Sequence, residues 1–114
     1  MTRVDADDIN GVTVISVAGH AGYSNDGDDI VCAALSAITQ SLLQTLKCYE
    51  SIKKCKILSE QIKENVGCCL FSFISYSENE TDALVNMAII GYKMLQNTYP
   101  ENVLVRDNRQ GGIL

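Results

Sequence analysis

The 114-residue chain has one proline, one histidine and few basic residues. A single proline beside eight glycines, with 46% hydrophobic and 20% charged content, excludes a disordered or linker-rich chain and fits a soluble globular class. No stretch reaches the about 18 uninterrupted apolar residues of a membrane span. The first residues, Met-Thr-Arg-Val-Asp-Ala-Asp-Asp, lack the charged-then-apolar pattern of a secretory segment, so no membrane partner and a cytoplasmic location are expected. Nine Lys and Arg against fourteen Asp and Glu leave a net charge of -5 and no basic stripe to follow phosphates. Direct nucleic-acid binding is therefore not expected, whereas a basic protein or peptide is electrostatically easier to accept.

Paired cysteines are missing too. Five is an odd number, no Cys-x-x-Cys occurs, and Cys68 and Cys69 are adjacent, which argues against a disulfide framework. Cys48, Cys55, Cys68 and Cys69 lack zinc-ligand spacing, so no metal is expected. The glycine-rich stretch has neither the G-x-x-x-x-G-K pattern nor a basic residue, which removes a phosphate loop. No cofactor is implied.

The length suits one domain, large enough to bury about two-thirds of its unfolded surface. Asn10-Gly11 is a two-residue hairpin signal joining residues 2–8, a poor strand former, to a β-branched strand at 12–18. Residues 21–28 carry turn chemistry and few apolar anchors, and read as a loosely held loop. From residue 29 the apolar positions Val31, Leu35, Ile38, Leu42, Leu46 and Tyr49 recur at helical spacing, with Asp28 or Asp29 as N-cap. A strand at 54–63, a turn at Glu64-Asn65 and a strand at 66–75 follow. The last of these is apolar on both faces, with Val66, Cys68, Leu70 and Ile74 on one and Cys69, Phe71 and Phe73 on the other. Such a strand is central or covered on both sides. Ser77-x-x-Glu80 reads as a capping box opening a second helix to about residue 97, with a stripe of Leu84, Ala88, Gly91, Tyr92, Leu95 and Tyr99. Pro100 ends it. Val103-Leu104-Val105 adds a short edge strand, and 106–114 reads as a flexible tail.

The fold class is thus α/β of the α+β type. A single domain over residues 1–105 has a mainly antiparallel sheet and two helices, in the order β-β-α-β-β-α with a short C-terminal strand.

The chemistry concentrates in His20, at a strand end, and Cys32, twelve positions later in the first turn of a helix. A helix N-terminus and a neighbouring imidazolium both favour a thiolate, the form that acts as a nucleophile. Asp29, Cys32 and Ser36 fall within a sector of about 60° at the flank of the apolar stripe. Gly19, Gly22 and Gly27 allow the loop backbone conformations closed to other residues. Against this stands the commoner use of a helical cysteine as a small core residue, which is how the other four thiols are read.

The string Gly19-His20-Ala21-Gly22-Tyr23, followed by Asp29-Ile30-Val31-Cys32-Ala33-Ala34-Leu35-Ser36, resembles the ribosomal-processing cysteine proteases called Prp. The resemblance implies a cytoplasmic, homodimeric endopeptidase that removes the N-terminal extension of large-subunit ribosomal protein twenty-seven, which carries an aromatic pair before the cut. It puts the nucleophile on Cys32 and the general base on His20, with Asp29 and Ser36 as supporting motif residues. Gly19, Gly22, Tyr23 and Gly27 then belong to a flexible loop over the substrate. Asp29 either caps the helix or orients His20, and Ser36 either lines the cleft or bonds back to the Cys32 carbonyl. Amides at the helix start are the expected oxyanion donors. The first strand is shorter and more acidic than the family's, and 106–114 runs past its usual end, which leaves a phage protein with a similar cleavage motif as a second substrate. The competing class is a noncatalytic ribosome-assembly module with Cys32 packed.

Overall fold

A computed structural model describes residues 1–24, 28–63 and 67–109. The elements are β1 (Thr2–Ile9), β2 (Val12–Ala18), α1 (Ile30–Ser51), β3 (Cys55–Lys63), β4 (Cys68–Ser75), α2 (Glu78–Thr98) and β5 (Val103–Asp107). They form one small α+β domain around a five-stranded sheet in the order β3-β4-β2-β1-β5. Neighbouring strands are antiparallel except for β1 and β5, which run parallel.

Asn10 and Gly11 both take positive φ, 52° and 82°, as a tight hairpin turn between right-twisted strands requires. The acidic composition of β1 hides a clean alternation. Thr2, Val4 and Ala6 are buried toward the helices, while Arg3, Asp5 and Asp7 point to the other face. That alternation places β1 inside the sheet, between β2 and β5, despite its poor intrinsic strand propensity.

Both helices cover one face. Their buried residues meet Val4, Ala6, Ile15, Val17, Phe71 and Phe73 in a continuous core. By length and composition α1 is apolar enough to cross a membrane, and here its Val31, Leu35, Leu42, Leu43 and Leu46 side forms part of that core. In α2 the inward face is Thr81, Val85, Ala88, Ile89 and Tyr92, with Leu84, Leu95 and Tyr99 partly buried beside it, so the expected stripe is rotated by about one position. β4 lies between β3 and β2, with Cys69, Phe71 and Phe73 under the helices. Its opposite side, including Leu70 and Ile74, is half-buried and is crossed by no described element. Val66, expected on that side, and the turn at Glu64-Asn65 lie outside the described residues.

Two expectations are corrected. Ser77 is the N-cap of α2, yet its side chain makes no capping bond. Glu80 bonds to Lys54 and to the Ser77 side chain, while the Ser77 amide that a capping box would give it donates to Ser75 Oγ at 3.1 Å. The tail also begins later than residue 106. β5 continues through Arg106 and Asp107, where pairing with β1 is available, and Arg109 is buried with its guanidinium on Asp107 and Asn86. Residues 110–114 lie outside the described part.

Candidate active site

β2 ends at Ala18, and the chain turns at Gly19 with φ 89°. A side chain here is excluded twice, since a β-carbon would also stand 2.7 Å from the Met1 carbonyl oxygen. The turn leaves His20 exposed and buries Ala21, which is 1% accessible. Opposite this turn α1 begins. Its first-turn Cys32 is half-buried, and it lines one cavity of about 520 Å³ together with His20, Ser36, Thr2, Ile62 and Gly67.

Asp29 is the N-cap of α1. Its Oδ1 accepts from the amides of Val31 at 3.0 Å and Cys32 at 2.9 Å, and its Oδ2 accepts from the Tyr23 amide at 3.0 Å. Burial raises the Asp29 carboxyl, but donors from the Cys32, Tyr23 and Ser24 backbone and from the Cys32 side chain outweigh it and hold the group below its ordinary value. Asp29 therefore caps the helix and ties the His20 loop to it. Of the two roles open to this residue, capping is the one its hydrogen bonds describe.

Three of the helix-start amides already have acceptors within the fold. Val31 and Cys32 donate to the Asp29 carboxylate, and Ala33 donates to the Asp29 carbonyl at 3.0 Å. An amide does reach the Cys32 sulfur from the other side of the site: Ala21 N–H donates to Cys32 Sγ at 3.2 Å. The loop is also held more firmly than its composition suggests, at least as far as it is described. The Ala21 carbonyl accepts from Asn102 Nδ2 at 3.0 Å, and the Tyr23 ring meets Tyr99 edge-on at 5.2 Å. Gly27 lies outside the described residues. Gly19, Gly22 and Tyr23 are in the turn, with Gly19 lining the cavity.

Three neighbours were not singled out in the sequence. Gly67, at φ 62°, opens β4 directly against the His20 ring, and a β-carbon there would stand 3.0 Å from the ring's Cε1 and Nδ1. Thr2 and Asn102 hold the loop backbone. All three are distant from His20 in sequence, and no local pattern marks them. Cys68 and Cys69 also line the cavity. Burial is the main cause that pushes the Cys69 thiol above its ordinary value, helped by the neighbouring Cys68 and Glu60. No group of three or more metal-ligating side chains occurs among the described residues.

The family model described as cysteine protease Prp matches residues 1–104. The chain belongs to this family. As a Prp-family member it is a cysteine protease, and the noncatalytic reading is set aside. No curated protein matches the chain. Among solved structures, the essential ribosomal processing protease Prp from S. aureus, in complex with a covalently linked product peptide, is similar with a TM-score of 0.74 and 20% identity, covering 96% of this chain and 100% of that one. The same protease with a substrate peptide gives 0.68 and 20%, over 95% and 100%. SMU.848 from Streptococcus mutans gives 0.69 and 26%, over 96% of both chains. At such identities the S. aureus likeness is one of fold.

Proposed function

We propose that this Prp-family protease processes a ribosomal protein, with Cys32 as nucleophile and His20 as general base. The observation that carries the reading is the shared cavity: the only imidazole in the chain and a first-turn helical thiol line it together, with an amide donor on the sulfur. In the proposed reaction His20 accepts the thiol proton, and Cys32 Sγ attacks the scissile carbonyl carbon. The tetrahedral intermediate collapses with cleavage of the C–N bond, and the imidazolium protonates the departing amine. Water, deprotonated by His20, then attacks the thioester and releases Cys32. Ala21 N–H, already beside the sulfur, is the natural donor to the oxyanion that forms on the carbon the sulfur attacks.

The substrate we infer is the N-terminal extension of large-subunit ribosomal protein twenty-seven. Support comes from the G-H-A…D-I-V-C-A-A-x-S pattern and from the S. aureus relative described as a ribosomal processing protease. A net charge of -5 agrees with a basic partner. Action in the cytoplasm belongs to the same proposal, as does a homodimer. The half-buried sheet face around Leu70 and Ile74 and the exposed α2 residues Met87, Ile90 and Met94 supply apolar surface for a second copy. Sedimentation as a monomer at micromolar concentration would remove the dimer from the proposal.

The test is incubation with a peptide bearing the ribosomal extension, followed by mass spectrometry. Wild type cuts once, and Cys32→Ala and His20→Ala do not. An intact peptide after incubation with wild type eliminates this substrate.

A further inference from the structure

The two residues flanking His20 are each held by a side chain from elsewhere in the fold. Thr2 Oγ1 donates to the Gly19 carbonyl at 2.8 Å, and Asn102 Nδ2 donates to the Ala21 carbonyl at 3.0 Å. These two holders are themselves joined, because the Thr2 amide donates to the Asn102 carbonyl at 2.8 Å. Thr2 opens β1 and is 2% accessible, and Asn102 sits in the turn that leads from α2 into the parallel strand β5.

We propose that Thr2 and Asn102 form a clamp that positions the catalytic loop, fixing the His20 backbone from both sides and aiming the Ala21 amide at Cys32 Sγ. Three observations meet in it. The clamp grips the carbonyls of the residues immediately before and after the histidine, Gly19 and Ala21. Its Asn102 arm acts on Ala21, the residue whose N–H lies 3.2 Å from the sulfur. Its anchor is the β1–β5 pairing, which starts at Thr2 and Val103 and gives the two arms a common rigid base. A backbone donor has no side-chain rotamer of its own to adjust, so its aim depends on what holds the loop. Displacing a reacting group by about 1 Å is enough to cost about a hundredfold in rate.

The inference rests on the dyad reading above, and the experiment separates the two. Alkylation of Cys32 by iodoacetamide reports on the sulfur without any substrate. Cleavage of the ribosomal-extension peptide reports on turnover. Asn102→Ala and Thr2→Val, each shown to be folded by circular dichroism, are expected to slow Cys32 alkylation and kcat about tenfold, with KM changed less than about twofold. Thr2→Ser keeps the hydroxyl and is expected to restore both rates.

Parent-like alkylation in both folded variants overturns the clamp while leaving the dyad intact. Equal slowing by Thr2→Ser and Thr2→Val also overturns it, since packing and not the hydroxyl would then be responsible. Full cleavage by Cys32→Ala overturns the dyad and the clamp together. If the extension peptide is not a substrate, the alkylation rates still decide.

Discussion

Gly67 stands so close to the His20 ring that an added β-carbon would lie 3.0 Å from both Cε1 and Nδ1. Such contact, combined with a φ of 62°, makes Gly67→Ala a test of histidine placement. The backbone penalty is about 1 kcal/mol. The ring must also give way from Gly67, and with His20 as the proposed base its displacement is expected to cost about tenfold in rate. The expected outcome is a folded protein with a small drop in melting temperature and a large drop in kcat. Activity equal to wild type would show that the ring position seen here is not the one used in turnover.

The start of α1 was legible because its signals are local. Asp29 caps amides two and three residues ahead, and the acidic, glycine-rich loop before it marks where helical periodicity begins. The strand β1 was harder, because Asp5, Asp7 and Asp8 depress its propensity, and only the sheet reveals that they share the face away from the core or the strand end. β5 could be seen as a short strand, but not its parallel partner, since sequence carries no register between segments about a hundred residues apart. The same separation concealed Thr2, Gly67 and Asn102. Each touches the His20 turn through one hydrogen bond or one close approach, and neither leaves a periodic trace.

Asp29 offers a separation of cap from charge. Asp29→Ala removes the acceptor for the Val31, Cys32 and Tyr23 amides, and loss of the cap is expected to cost about 1 kcal/mol in urea denaturation. Asp29→Asn keeps a capping oxygen and costs a smaller amount. The carboxyl of Asp29 lies below its ordinary value of 3.8 in the folded state, so its contribution is complete above that value and is lost as pH falls through the lower folded value. Wild type should therefore lose stability on acidification more steeply than Asp29→Asn. Parallel pH profiles for the two would contradict the assignment.

The thiols should separate by burial. Cys55 is 2% accessible, and burial pushes its thiol up, with Glu50 adding to the effect; Cys69 is 8% accessible and also raised. Neither should react with iodoacetamide in the native protein, whereas Cys32 and the exposed Cys48 should. Peptide mapping after brief labelling checks this. Adding His20→Ala should slow labelling at Cys32 and leave Cys48 unchanged, a pattern that uniform labelling of all five would refute.

The C-terminal segment is part of the fold through residue 109. Arg109 and Asp107 have 4% side-chain exposure each, and the Asn108 amide donates to the Ala6 carbonyl at 2.8 Å. Removing Arg109 leaves the Asp107 carboxylate buried without its partner, for which about 3 kcal/mol is typical. Arg109→Ala should lower the denaturation midpoint by a corresponding amount, and ending the chain after residue 105 should do at least as much. A truncation as stable as the parent would restore the reading of residues 106–109 as a tail.

Beneath the cavity, Tyr92 is fully buried and its hydroxyl lies 2.6 Å from Thr39 Oγ1, which in turn lies 2.7 Å from the Leu35 carbonyl. With the Thr39 proton on the Leu35 carbonyl, Tyr92 is the donor to Thr39. Ionised tyrosine cannot donate. Burial, the largest cause, and the nearby Cys69 push the Tyr92 hydroxyl up to about 12, against the opposing effect of Thr39. A folded value above the ordinary 10.0 means that the neutral form is favoured by folding: its stabilisation is present below that value and is lost as pH rises toward about 12. Tyr92→Phe should cost about 1 kcal/mol at neutral pH and should flatten the alkaline fall in stability. Because Thr39 keeps its bond to Leu35, the cavity floor should survive, and kcat should stay within about twofold of the parent. Absorbance of tyrosinate during alkaline titration provides the direct check. Of the five tyrosines, Tyr92 should ionise last and together with unfolding, and its ionisation alongside the exposed ones in a folded protein would contradict the donor assignment.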